Sequence, residues 1–443
     1  MKFAIHQIKG YALFVVILSA FLLFYKYIMQ VFPGLIANDI MLSFSISAYE
    51  AGALVAVTFW TIVLVQLVSG IILDKFGFRI VSSCSLVVSS LGLLVFIYAA
   101  NHGDLILGYS GRIMIGFGVA FATVSYIKAV AVWFPPQKFA FVTSFLASAA
   151  MLGAIAGQAP LSYLITHTGS WQRGLSICAL IGCAIAVIYF LVIRDTNPKN
   201  TVAQQSAREF SWKDIKQVFL NRNNWLLTLY SGLSFTTIDA FAGLWGNNYF
   251  REQYHLSTEH AACVISMIFV GLAIGSPVIG KLSEKFDSYK PLMLICHLIA
   301  TATLAIVLSF KTSAVIAAIC LFIFGFCLGI YMLAFAIGRR INSLAVAATV
   351  AAFINTGEPI LGAIFDPLIG YLLEIQWQGN YINAAGNIFS SYAEVLPEGV
   401  VKYFTVAEYH FAFSLLTLSM IVAFFLLCLV KDNKTIKVPA ISA

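Results

Sequence analysis

Charge is what this sequence has least of. Only 10% of its 443 residues are Asp, Glu, Lys or Arg, against 60% hydrophobic, and the mean hydropathy is +0.91. A soluble domain of this length cannot hide so much apolar surface. A nucleic-acid surface needs Lys and Arg clustered on one face, whereas here the residues behind the net charge of +7 are scattered between apolar runs. Both classes are excluded, and no nucleic-acid partner is expected. Paired cysteines are missing as well. Cys84, Cys178, Cys183, Cys263, Cys296, Cys320, Cys327 and Cys428 all lie inside apolar runs without CxxC spacing, as small packing residues do. No metal-ligand spacing and no Ser/His/Asp group appears, so neither an enzyme nor a cofactor is expected. Gly275-Ser276-Pro277-Val278-Ile279-Gly280-Lys281 comes nearest to a nucleotide loop, but Leu282 stands where Ser or Thr should hold magnesium, and the stretch leaves an apolar helix rather than a strand. Without a nucleotide site, solute or ion gradients are the remaining drive.

What the sequence does have is apolar runs long enough to cross a bilayer at roughly 20 residues each. They fall at 11–32, 49–73, 80–100, 105–130, 139–165 and 174–193, then at 225–249, 261–279, 291–310, 313–337, 344–373 and 409–430. The first run is too long for a signal-peptide core and ends in Phe32-Pro33-Gly34, so it reads as a span. The turn Gly70-Ile71-Ile72-Leu73-Asp74-Lys75-Phe76-Gly77-Phe78-Arg79 recurs at the matching place of the second six as Gly280-Lys281-Leu282-Ser283-Glu284-Lys285-Phe286. The expected fold is an all-α membrane protein: twelve transmembrane helices in two six-helix pseudo-symmetric bundles, 1–195 and 225–443, joined by a cytoplasmic linker over 196–224. Two related halves of this kind are the layout of a secondary transporter.

Most of the 26 Lys and Arg fall on the side of the termini, and only Arg173, Arg251, Lys311 and Lys402 on the opposite side. By the positive-inside rule both termini are cytoplasmic, in a multi-pass protein of the cell's inner membrane. In the linker, Ser211-Trp212-Lys213-Asp214 reads as a capping box opening a short amphipathic helix, with Trp212, Ile215 and Phe219 on the face laid against the membrane. A second capping box, Thr405-Val406-Ala407-Glu408, opens the last span after a long outer loop over 375–404 that reads as irregular.

Gly70-x-x-x-Asp74-Lys75-x-Gly77-x-Arg79 resembles the loop signature between the second and third helices of the major facilitator superfamily, and Arg112-x-x-x-Gly116-x-Gly118-x-Ala120 resembles its fourth-helix signature. Trp133-Phe134-Pro135-Pro136-Gln137-Lys138-Phe139 looks like the loop that follows. The sequence departs from the pattern at Ile80, at Asp287, which replaces the second-half Gly, and at Gly153-x-x-x-Gly157-Gln158-Ala159-Pro160, which only partly resembles the antiporter motif. Tyr25-Lys26-Tyr27, the Trp133 loop and Ala407-Glu408-Tyr409 look like a branch that includes phagosomal amino-acid transporters and lysosomal dipeptide transporters.

The resemblance implies that helices 1, 4, 7 and 10 line a cavity and that 2, 5, 8 and 11 flank it. A charge at mid-bilayer costs on the order of 2.5 to 3.5 kcal/mol on insertion scales, so charged residues within the spans are site candidates. Cations lie in the first half, Lys26 and Arg112, with Lys128 near the inner end of the fourth span; acids lie in the second, Asp239, Glu358 and Asp366. Lys26 with Gln30, Thr236 with Asp239 and Asn355 with Glu358 share helix faces, and Gln66 and Gln158 are lining amides. The expected substrate site is therefore Lys26, Gln30, Arg112, Thr236, Asp239, Asn355 and Glu358, with Asp239 or Glu358 as proton carrier. Gly70, Asp74, Gly77, Arg79 and Glu284 form the gating turns, in which Asp74 pairs with Arg79, with the N-terminus of a neighbouring helix or with Arg and Lys of the loop between the fourth and fifth spans. Bland readings stand beside these: Arg112 as a structural residue, Lys26 snorkelling outward, Asp366 capping a helix break at Pro367, and His297 as peripheral.

The function expected is gradient-driven transport of a small polar solute by alternating access, with the lipid bilayer, the solute and protons as partners and a monomer or homodimer as the unit. A zwitterion, meaning an amino acid or short peptide, would satisfy cations and acids together. The alternatives are an organic anion, carboxylate or siderophore, or a non-transporting receptor on the same fold.

Overall fold

The computed structural model describes residues 2–134, 136–195, 212–342, 346–383, 385–390 and 399–432. The first half holds α1 (Lys2–Val31), a short α2 (Ala37–Phe44), α3 (Ala48–Phe76), α4 (Phe78–His102), α5 (Leu105–Ala120) continued by α6 (Ala122–Trp133), α7 (Pro136–Ala156) continued by α8 (Ala159–Thr168), and α9 (Trp171–Val192). After α10 (Trp212–Leu220) the second half holds α11 (Arg222–Ala240) and α12 (Gly246–Tyr254) joined by a π turn, α13 (Thr258–Ser283), α14 (Lys290–Ser309), α15 (Ala314–Leu328) and α16 (Met332–Ile341) joined by a 3-10 turn, α17 (Ala347–Asn355), α18 (Gly357–Ile375) and α19 (Val406–Leu429).

Among the described residues, ten helices, counted across short breaks, are long and apolar enough to cross a membrane. The expected seventh span falls short because α11 is polar, and part of the eleventh lies outside the described residues. α11 carries Asn224, Thr228, Ser231, Ser234, Thr236, Thr237 and Asp239, all buried, and α18 carries Glu358, Asp366 and Glu374. A helix that meets protein rather than lipid has no need of an apolar surface. With these two, the helices make the twelve crossings of a pseudo-symmetric pair of bundles. The fourth, seventh, tenth and eleventh spans are interrupted at Phe121, Phe241–Trp245, Gly329–Tyr331 and Thr356, which the continuous apolar runs did not announce.

Small residues bring the spans of the first half together. A Cβ on Gly116 would collide with Thr58 and Thr61 of α3, and one on Gly118 with Ser85 and Ser89 of α4, so the fourth-span glycine pattern is a packing stripe. Between the halves, α3 packs along α18 and α13 along α7 and α8.

Three expectations change. The outer loop is not irregular throughout: β1 (Asn380–Asn383), β2 (Ile388–Ser390) and β3 (Val400–Lys402) form an antiparallel sheet in the order β2-β1-β3. It is tied down by Glu408, which also completes the expected capping box at Thr405 while its Oε1 accepts the Gln378 N–H at 2.7 Å. α10 forms, but Phe219 stacks on Phe353 with ring centroids 4.8 Å apart and Val218 is buried, so that end of the helix docks on α17 rather than resting only on lipid. Ser211 and the side chains of Trp212 and Ile215 lie outside the described residues. His297, expected to be peripheral, is fully buried, with Nε2 2.8 Å from the Met420 carbonyl oxygen.

Candidate functional site

A cavity of about 570 Å³ opens between the halves from mid-molecule toward the side of the termini. Its walls are mostly apolar, from Leu23, Phe59, Ile62, Val124, Met332 and Phe335. Against them stand few polar groups: Lys26, Tyr27 and Gln30 of α1, Gln66 of α3, Tyr331, and Asn355 and Glu358 on either side of the α17–α18 break. Few polar groups in apolar walls are what orients a small ligand.

The geometry of the charges decides what the cavity can hold. Gln30 Nε2 donates to Asp239 Oδ1 at 2.9 Å, which ties the first span to the seventh, and Gln30 lines the same cavity as Glu358. Lys26 forms no ion pair within 4 Å among the described residues; its Nζ lies 5.3 Å from the Tyr27 ring centroid and within electrostatic reach of Glu358 and Asp239. Asp239 is buried, and its Oδ2 has no partner. One cation therefore faces two acids, and an unsatisfied oxygen lies just behind the wall.

Four expected residues, Lys26, Gln30, Asn355 and Glu358, line this cavity; Asp239 stands one hydrogen bond behind it. Thr236 is fully buried, with its hydroxyl 3.5 Å from the Glu358 carbonyl oxygen, and does not reach the cavity. Arg112 is also misplaced by the sequence reading. It is 1% exposed, donates from Nη2 to the Val55 carbonyl at 3.3 Å, lies 5.4 Å from the Phe32 ring and interacts electrostatically with Asp366. Asp366, also 1% exposed, caps no break, since α18 runs through Pro367. Its helix crosses α3 so closely that a Cβ on Gly52 would collide with the Asp366 carbonyl. Gln158 does not line this cavity either: it donates to the Ala242 carbonyl at 2.7 Å and accepts from Asn247 at 3.0 Å.

The gating turns also differ from expectation. Asp74 pairs with Lys128 of α6 at 2.9 Å, not with Arg79, and Lys128 also donates to the Leu73 carbonyl at the end of α3. Arg79 turns to the end of α9, its backbone N–H on Asp195 Oδ1 at 2.8 Å and its Nε on the Phe190 carbonyl at 2.7 Å. Gly77, at φ +80°, makes the turn that a side chain would strain, whereas Gly70 has open space around it and no close approach to permit. Glu284 is exposed and forms no ion pair among the described residues. In the second half Asp432 does what Asp195 does in the first, accepting the backbone N–H groups of Tyr289 at 2.6 Å and Lys290 at 3.3 Å. The sequence held a sign of this: Arg194-Asp195 and Lys431-Asp432 each follow the last apolar run of a half.

Opposite the termini the halves are closed on each other. Glu374 Oε1 accepts the Tyr49 N–H at 2.9 Å, Asn248 donates to Asn38 at 2.7 Å, and a Cβ on Gly370 would collide with the Ala48 carbonyl. No hydrogen bond or ion pair joins described residues of the two halves on the termini side.

Comparison with known proteins agrees with this architecture. The profile of the Major Facilitator Superfamily matches residues 13–376. The hexuronate transporter of Bacillus subtilis (strain 168) is 26% identical over 216 residues, 46% of this chain and 50% of the relative, and the lysosomal dipeptide transporter MFSD1 of Homo sapiens is 22% identical over 322 residues, 68% and 67%. The chain thus spans about half the length of the first of these relatives and two thirds of the second. Among solved structures, a bacterial homolog of the human lysosomal transporter Spinster, in an inward-facing and occupied conformation, superposes with a TM-score of 0.70 at 16% identity over 95% of both chains.

Proposed function

The chain belongs to the Major Facilitator Superfamily, whose members are membrane transporters, and from that premise we propose that it moves a small zwitterion, an amino acid or short peptide, driven by a proton gradient. The observation that carries this reading is the charge balance of the cavity: one first-half cation, Lys26, against two second-half acids, Glu358 and Asp239. With one acid protonated, a single cation and a single carboxylate remain. A zwitterion matches both, its carboxylate on Lys26 and its ammonium on Glu358, and spans the halves as it does so. A dicarboxylate such as galactarate would bring two negative charges to a cavity with one cation and leave an acid unpaired, at a cost of several kcal/mol for an uncompensated buried charge. That argument weighs against the acid-sugar substrates named for some relatives.

The proton has a place in the cycle for the same reason. Asp239 and Glu358 act on each other's charge, so two ionised carboxylates beside an empty cavity would repel. A proton taken up on one relieves this, and arrival of the substrate ammonium can do the same work. The bundles of residues 1–195 and 225–443 would rock about the site with the linker 196–224 between them, the termini in the cytoplasm as the basic residues Lys128, Arg79, Lys290 and Arg340 on that side support.

Uptake by proteoliposomes tests the proposal. Labelled L-alanyl-L-alanine should enter saturably and faster under an inward proton gradient, with Lys26→Ala and Glu358→Gln each lowering uptake at least tenfold. Asp239→Asn, which leaves Glu358 in place for the ammonium, should weaken the pH dependence of uptake yet spare exchange. N-acetylation or C-amidation of the dipeptide should each mimic the loss of one pole. Saturable galactarate uptake indifferent to Glu358→Gln would overturn the reading.

A further inference from the structure

A second polar cavity, of about 550 Å³, lies on the side opposite the termini and shares no lining residue with the first. It is built from both halves. The first contributes Asn38 and Asp39 of α2, Ser162 of α8 and Trp171 of α9; the second contributes Arg251 of α12 and Asn383 of β1. One acid and one cation thus face a common space from opposite halves. Asp39 shows what the enclosure does to a charge: burial pushes its carboxyl above the ordinary carboxylate range while Arg251 pulls it back down.

The observation that points to a ligand is Ser162. It is 1% exposed, its carbonyl is occupied by the Thr166 hydroxyl at 3.1 Å, and its own Oγ has no partner. Buried hydroxyls are almost always bonded, and leaving one unsatisfied costs about 1–3 kcal/mol. Here the residue lines a polar space with room for a small molecule.

We propose that this cavity is a second solute site, which takes a small zwitterion with its carboxylate on Arg251, its ammonium on Asp39 and a hydrogen bond from Ser162. The site exists only while the far ends of the halves are together, because Asp39 and Arg251 belong to different halves. Its occupant therefore binds the far-side-closed state and not the open one, and by linkage holds the carrier closed on that side. A solute accumulating opposite the termini would slow its own transport without reaching the transport cavity. The proposal goes beyond the transport reading and uses none of its residues.

Trp171 lines the second cavity and supplies the readout. Purified protein is titrated with L-alanine and L-alanyl-L-alanine, with acetate and ethylammonium as single-charge controls, and the Trp171 contribution is taken as the fluorescence difference from Trp171→Phe. A saturable zwitterion response is expected, at least tenfold tighter than either control and unchanged in a Lys26→Ala background. It should weaken at least tenfold in Arg251→Gln, an exposed position that folding tolerates, and vanish in Ser162→Phe, which fills the space. A response that Lys26→Ala abolishes belongs to the transport cavity and overturns the proposal. So does an equal response to acetate, a response that survives Arg251→Gln, or none from Trp171. Failure of the transport reading would show separately, as dipeptide uptake indifferent to Lys26→Ala with the Trp171 titration intact.

Discussion

The two sides of the molecule use polar groups in opposite ways. On the far side, uncharged amides and backbone groups predominate in the bonds between halves: Gln30 to Asp239, Gln158 to Ala242 and Asn247, Asn248 to Asn38, and the Tyr49 N–H to Glu374. On the termini side the charges work within each half: Lys128 on Asp74, Asp195 on the start of α4, Asp432 on the start of α14 with Arg340 beside it at 3.8 Å. Each cross-half hydrogen bond contributes about 0.5–1.5 kcal/mol net between neutral groups and about 1.5–3 kcal/mol where it ends on a carboxylate, so no single one locks the far side. The ion pairs and helix caps instead hold the inner ends of each bundle together as a unit. If the halves rock as proposed, what moves is joined weakly, and what moves together is joined by charge.

Overpacking the far side should break this comparison most severely. Gly52 meets the backbone of Asp366 and Pro367, which cannot rotate away as a side chain would. Gly52→Leu should prevent closure and lower transport at least tenfold. In the same variant a Thr258→Cys probe, in a background stripped of native cysteines, should react several times faster with an impermeant maleimide added opposite the termini. Normal transport by Gly52→Leu would mean that this contact has no part in the cycle.

Removing a clasp without adding bulk sharpens the comparison. Gln158 makes two far-side bonds and makes them only when the halves meet. At about 1 kcal/mol each, their loss in Gln158→Ala should shift the equilibrium toward the open far side by roughly thirtyfold. Transport should fall less than in Gly52→Leu, because closure remains sterically allowed. The labelling rate at Thr258→Cys reads this shift directly, and a rate equal to that of the parent would assign Gln158 to packing alone.

How far the sequence disclosed this arrangement depended on the kind of signal. The twelve crossings, the repeated turn and the helix-face pairs Lys26–Gln30 and Asn355–Glu358 follow from period and hydropathy, which are local, and both pairs do line the cavity. Arg112 was misplaced because depth along a helix does not say which neighbour covers a side chain; here Phe32 and the α3 backbone cover it. Asp366 looked like a cap because Pro367 follows it, yet a proline is tolerated within a helix buried among neighbours, and Asp366 stays in mid-helix, where Trp245 Nε1 donates to its carbonyl at 3.2 Å. The far-side clasps were illegible for another reason. Gln158, marked in the sequence only as a lining amide, and Asn247 and Asn38, not marked at all, acquire partners only when distant spans converge.

The two gating turns give the smallest effects and the finest test. Asp74 is 72% exposed, so its pair with Lys128 is screened by solvent and worth about 1 kcal/mol or less. The pair lies within the first half, and its loss should loosen the joint between α3 and α6 without touching either cavity. Asp74→Asn should therefore leave the affinity for substrate within twofold of the parent and slow turnover only a few fold, read as a lower maximal uptake rate at unchanged half-saturation. Glu284 occupies the matching place in the second half but forms no ion pair among the described residues, and Asp432 already caps the start of α14 without it. Glu284→Gln should accordingly change neither rate nor affinity measurably. If the two substitutions slow uptake equally, the pair between Asp74 and Lys128 contributes nothing of its own, and both acids act only through the charge they place at the membrane surface.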